Sequence, residues 1–69
     1  MNRMSVADVV LRCEGIRRMA LVPMTDDAAR WLRKHDAGCR WRGKELVVED
    51  AERRDEIVEG LELDGFTAA

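Results

Sequence analysis

From Met19 onward the apolar residues change period along the chain, and this constrains the fold more than any other feature. Met19-Ala-Leu-Val-Pro-Met24 is a short continuous apolar run. It reads as a strand, with Pro23 placing it towards an edge or an end. Thr25 then suits a helix cap, and Asp26 and Asp27 suit the positive end of the helix dipole. Ala28, Trp31, Leu32 and His35 recur on one helical face, with Arg30, Arg33 and Lys34 on the other. Gly38 ends that helix, which the spacing predicts over 26–36. Residues 39–49 return to a period of two, with Gly43 as the turn of a hairpin. Cys39 and Trp41 share one face and Arg40 and Arg42 the other; Leu46 and Val48 face inward, with Val47 opposite. Asp50 caps a second helix over 51–63, Phe66 folds back onto the core, and 67–69 fray.

The expected fold is therefore a small α+β domain of β-α-β-β-α order, with two helices on one face of a three-stranded sheet. Residues 19–69 form that domain. Residues 1–18 read as an N-terminal extension, either a short helix or disordered. Val6, Val9, Val10 and Cys13 have helical spacing, with Ser5 as cap, Gly15 as stop and an Asp8–Arg12 pair. Glu14-Gly15 is also compatible with codons resembling a ribosome-binding site, nine nucleotides before the Met19 codon. This marks Met19 as an expected natural start.

At 69 residues, a chain buries only about 60% of its unfolded surface. The expected core is Leu21, Val22, Met24, Ala28, Trp31, Leu32, Trp41, Leu46, Val48, Ile57, Val58, Leu61 and Phe66. Such a core leaves little room for a deep pocket, so function is expected on a surface. His35 and Cys39 are spaced like metal ligands, but nothing nearby completes a site. No cofactor, no metal and no catalytic residue is expected. Cys13 and Cys39, without a signal peptide, read as reduced intracellular thiols. No run approaches a membrane span, and the expected location is the cytoplasm.

Charge is divided along the chain. Residues 1–44 carry ten basic and five acidic side chains, and residues 45–69 two basic and nine acidic. The halves are thus +5 and −7, which sum to the net −2. On the last helix Glu52, Asp55, Glu56, Glu59 and Glu62 fall within roughly one third of the circumference at about 100° per residue. They span about 15 Å of helix, close to four phosphate steps of about 3.4 Å each. A charge run is ordinarily a solvated face, and Glu49–Arg53 and Asp50–Arg54 fit helix-stabilising pairs. The later acids do not fit that explanation. They lack a base four positions on, and Glu59 and Glu62 sit near the negative end of the dipole.

The first functional reading is therefore a non-enzymatic binding protein. Those five carboxylates would meet a basic surface on a host protein complex. The alternative is a small nucleic-acid-binding protein using Arg33, Lys34, Arg40, Trp41 and Arg42, with phosphate contacts and base stacking. A third expectation is a homodimer in which the basic hairpin of one copy meets the acidic helix of another.

Several segments also resemble small proteins encoded by phages and prophages. They are Leu21-Val22-Pro23, Ala28-Ala29-Arg30-Trp31-Leu32, Trp41 and Gly43, Leu46-Val47-Val48-Glu49, Gly60-Leu61 and Asp64-Gly65-Phe66. That repertoire includes anti-CRISPR inhibitors. The resemblance implies an inhibitor that binds a CRISPR surveillance complex and occupies the basic path meant for DNA. The basic first half departs from an all-acidic DNA mimic, so the mimicry implied is confined to one face.

Overall fold

The computed structural model describes residues 7–69. Six elements follow in order: β1 (Val9–Cys13), β2 (Met19–Pro23), α1 (Asp26–Lys34), β3 (Arg40–Arg42), β4 (Glu45–Val48) and α2 (Ala51–Leu63). The strands form one antiparallel sheet in the order β1-β2-β4-β3.

The sheet has four strands, where three were expected. The added strand is β1, in the segment whose spacing suggested a helix. Val9, Leu11 and Cys13 also repeat with period two, and this period wins because β2 offers an apolar partner strand. Residues 14–18 close the β1–β2 hairpin. Arg12 accordingly pairs with Glu14 and Glu45 instead of Asp8. The expected cap at Ser5 and the helical position Val6 lie outside the described residues.

Register assigns each strand residue to a face. Leu11, Leu21, Leu46 and Trp41 form a row across all four strands. Both helices cover this side. Ala28 and Leu32 of α1 and Ile57 and Leu61 of α2 join Val9, Leu21, Leu46 and Val48 in the core. Thr25 caps α1 by accepting from the Ala28 amide at 3.1 Å. The helix ends at Lys34 with His35 as its C-cap, two residues short of the expected 36. The β3–β4 turn is the two-residue Gly43-Lys44, with Gly43 at φ +62°, a conformation that glycine adopts without strain.

The expected core is right in its centre and wrong at its margins. Met24 is exposed and Val22 and Val58 are only half-buried, whereas Trp31, Trp41 and Phe66, also half-buried, pack against the core as expected. Val9, Ala20 and Val47 are buried although none was expected there. Ala20 and Val47 lie on the face that no helix covers. There they are flanked by Arg12 and Arg40 in the row Arg12–Ala20–Val47–Arg40. Long arginine stems can cover apolar surface while their heads stay in water.

The tail does not fray as expected. The Val9 amide donates to the Thr67 carbonyl at 3.0 Å and the Leu11 amide to the Ala69 carbonyl at 2.6 Å. Ala69 donates back to the Val9 carbonyl at 3.0 Å. Asp8 and Thr67 lock the junction, the Thr67 amide donating to the Asp8 carboxylate at 2.9 Å. The free edge of β1 would otherwise expose unpaired backbone groups, and the tail satisfies them.

Candidate functional site

Burial of Ile57 and Leu61 turns the opposite flank of α2 outward. Glu52, Asp55, Glu56, Glu59 and Glu62 are all exposed there. Asp55 is met by Arg54 at 3.0 Å and Glu56 by Arg53 at 3.5 Å. Both pairs are solvent-exposed and worth at most about 1 kcal/mol. Glu52, Glu59 and Glu62 have no ion-pair partner among the described residues. The last turn of α2 carries no base, so its negative end is left uncompensated.

The expected pairs Glu49–Arg53 and Asp50–Arg54 do not form. The Asp50 carboxylate instead caps α2 by accepting from the Glu52 amide at 2.9 Å. Glu49 follows β4, beside the start of β2, and meets Arg18 at 3.2 Å and Arg40 at 3.7 Å. Arg53 and Arg54 are thereby free to turn to Glu56 and Asp55. On α1, Arg30 pairs with Asp27.

The basic set is divided between two faces. Trp41 points to the helix side of the sheet, while Arg40 and Arg42 alternate to the open side. The Trp41 ring is covered by the Arg33 guanidinium, 4.6 Å from its centroid. Its Nε1 donates to Asp36 at 2.9 Å. That bond, with the Gly38 amide, holds the Asp36 carboxyl below its ordinary range. Trp41 is thus engaged on its face and at its edge. Lys34 is exposed at the end of α1.

Arg42 belongs to a four-membered cluster that the sequence reading missed. Arg12 meets Glu14 at 2.8 Å and Glu45 at 2.5 Å, and Arg42 meets the same two at 2.5 and 2.9 Å. The cluster crosses the open face from β1 to β3. Hydrogen bonds from Arg42 and then Arg12 pull the Glu14 carboxyl down to about 2. Bonds from Arg12 and then Arg42 lower Glu45 in the same way. A local signal existed, because Arg12 and Glu14, like Arg42 and Glu45, stand at spacings that put opposite charges on one sheet face.

A second feature missed in the sequence is an open groove of about 520 Å3 between α2 and the β1–β2 hairpin. Leu11, Met19 and Val58 supply its apolar lining, and Asp55, Glu59 and Glu62 its acidic rim. The groove is formed by residues from three elements, so no single segment announces it.

His35 stacks on Trp31 with centroids 3.9 Å apart, and its Nδ1 is 2.8 Å from the Trp31 carbonyl oxygen. Cys13 and Cys39 are free thiols; partial burial pushes the Cys39 thiol up. Among the described residues no three His, Cys, Asp or Glu side chains gather as a metal site, and no helix is long and apolar enough to cross a membrane. Comparison with protein-family models, with curated proteins and with solved structures finds no match to this chain.

Proposed function

We propose that this chain is a non-enzymatic protein-binding module that presents the acidic flank of α2 to a basic surface. The observation that carries this reading is that Glu52, Glu59 and Glu62 are exposed along one flank without an ion-pair partner among the described residues. Local helix stability does not call for them, and two of them stand where the helix dipole disfavours acids by about 0.3–1 kcal/mol each. Asp55 and Glu56 join them at the modest cost of releasing exposed pairs.

A surface that holds nucleic acid is rich in Lys and Arg and fits such a flank. The resemblance to small phage-encoded proteins makes a CRISPR surveillance complex of a bacterial cell the first partner to test. Occupancy by α2 would exclude DNA from the complex. Complementary charge would speed encounter and fix orientation.

The test uses a purified surveillance complex and the double variant Glu59→Lys/Glu62→Lys. The unaltered chain is expected to bind and to displace target DNA. The variant should keep its circular dichroism spectrum and bind at least about tenfold more weakly, which corresponds to about 1.4 kcal/mol. Equal binding by both at low ionic strength rejects this flank as the interface.

A further inference from the structure

We propose that the groove between α2 and the β1–β2 hairpin receives the hairpin tip of a second copy of this chain. The groove offers Leu11, Met19 and Val58 as apolar lining, with Asp55, Glu59 and Glu62 on its rim. Arg54 also lines it but is tied to Asp55 at 3.0 Å. Glu59 and Glu62 remain as uncompensated charge beside half-buried apolar surface.

The chain itself carries a ligand of matching chemistry. Ile16 stands fully exposed at the tip between β1 and β2. Arg17, next to it, is exposed and has no ion-pair partner among the described residues, whereas Arg18 is held by Glu49 at 3.2 Å. Single exposed apolar residues are common on protein surfaces. Here one stands at an exposed hairpin tip beside a guanidinium that makes no ion pair among the described residues, although Arg17 shares a shallow depression with Glu49, Asp50 and Glu52 of its own chain. An apolar residue next to a cation is what an apolar groove with an acidic rim accommodates.

Tip and groove belong to the same end of the molecule. The β1–β2 ladder ends at Cys13 and Met19, from which the tip projects, and Leu11 and Met19 line the groove. Two copies facing each other can therefore exchange tips. Each Ile16 would cover the other's Leu11, Met19 and Val58, and each Arg17 would meet Glu59 and Glu62. Such a contact is isologous and closes at two copies. It differs from a dimer built on the basic 39–49 hairpin, whose Arg40 and Arg42 are engaged by Glu49, Glu14 and Glu45. It shares Glu59 and Glu62 with the proposed foreign partner, and Arg17→Glu tells the two readings apart, because it removes the dimer and leaves the acidic flank of α2 intact.

Sedimentation equilibrium of the full chain tests this at low and high ionic strength. A concentration-dependent dimer is expected, weakened about tenfold or more by salt because its charge pairs lie at the rim. Ile16→Asp, Arg17→Glu and the double variant Glu59→Arg/Glu62→Arg should each be monomeric, with unchanged circular dichroism. Mixing the Arg17→Glu chain with the Glu59→Arg/Glu62→Arg chain should restore a dimer, since each tip again meets a rim of opposite charge. A chain that stays monomeric at every concentration overturns the proposal. So does a dimer that survives Ile16→Asp and the rim reversal, or a mixture of the two reversed chains that remains monomeric.

Discussion

Gly60 of α2 faces the Trp31 ring. A Cβ added at this position would lie 3.1 Å from both Cζ2 and Cη2 of the Trp31 ring. The ring has little freedom to retreat. His35 stacks on it, Phe66 lies 6.4 Å away centroid to centroid, and its Nε1 donates to Asp64 at 2.5 Å. Helix propensity alone would make Gly60→Ala stabilising by about 0.8–1.0 kcal/mol. Overpacking against a pinned indole costs about 1–3 kcal/mol. The expected net result is destabilisation of about 1 kcal/mol, read as a lower urea midpoint with an unchanged slope. A raised midpoint would mean that Trp31 yields. The sequence placed Trp31 on the inward face of α1 correctly, but not its dependence on a glycine in another helix.

Elements were legible where a local period was backed by a local stop. Helix α2 was expected over 51–63 and is found at Ala51–Leu63. Asp50 caps it, and its two buried residues lie one turn apart. The β3–β4 hairpin was legible for the same reason, with Gly43 fixing the turn. Strand β1 was not, because four residues at helical spacing within so short a segment also allow an alternating pattern. What decides between them is the partner strand, and local periodicity does not show that. The tail was misread for a related reason, since Thr67–Ala69 is held by Asp8, Val9 and Leu11 at the other end of the chain. These contacts give a clear expectation for a chain starting at Met19. It would lose Val9, whose burial alone is worth about 1.5–3 kcal/mol, together with the ladder that covers one edge of β2. For a domain this small the expected outcome is loss of cooperative thermal unfolding, measured by calorimetry. A sharp transition in the shortened chain would show that β1 is dispensable.

Over the whole molecule the charge division of the sequence is folded into a different pattern. Five of the ten bases in residues 1–44 are ion-paired among the described residues: Arg12, Arg18, Arg40 and Arg42 with Glu14, Glu45 and Glu49 on and around the open sheet face, and Arg30 with Asp27. The acidic surplus remains on α2. The flank of five acids was thus legible from helical spacing alone, and so was the alternation of Trp41 with Arg40 and Arg42, whereas the capture of Arg42 by Glu14 was not, because the two are brought together only by the sheet. The open-face cluster also sets the pH response. Glu14 titrates at about 2 in the folded chain against an ordinary 4.5, and Glu45 is shifted in the same direction. A lowered carboxylate stabilises the fold above its unfolded value, and that contribution disappears as pH falls through the folded value. Stability should therefore decline between about pH 4.5 and about pH 2. Glu14→Gln should flatten this part of the curve, as measured by urea midpoints across that range. An unchanged slope would show that the cluster does not hold the open face together.

The clasp between the tail and β1 has a consequence for how the protein is made. Asp8 and Thr67 are separated by 59 positions yet bonded to each other. During synthesis β1 emerges early, but its outer backbone groups stay unmatched until residues 67–69 have been made. In that interval the nascent chain offers a bare hydrogen-bonding border to whatever lies nearby, and only arrival of Thr67 closes it.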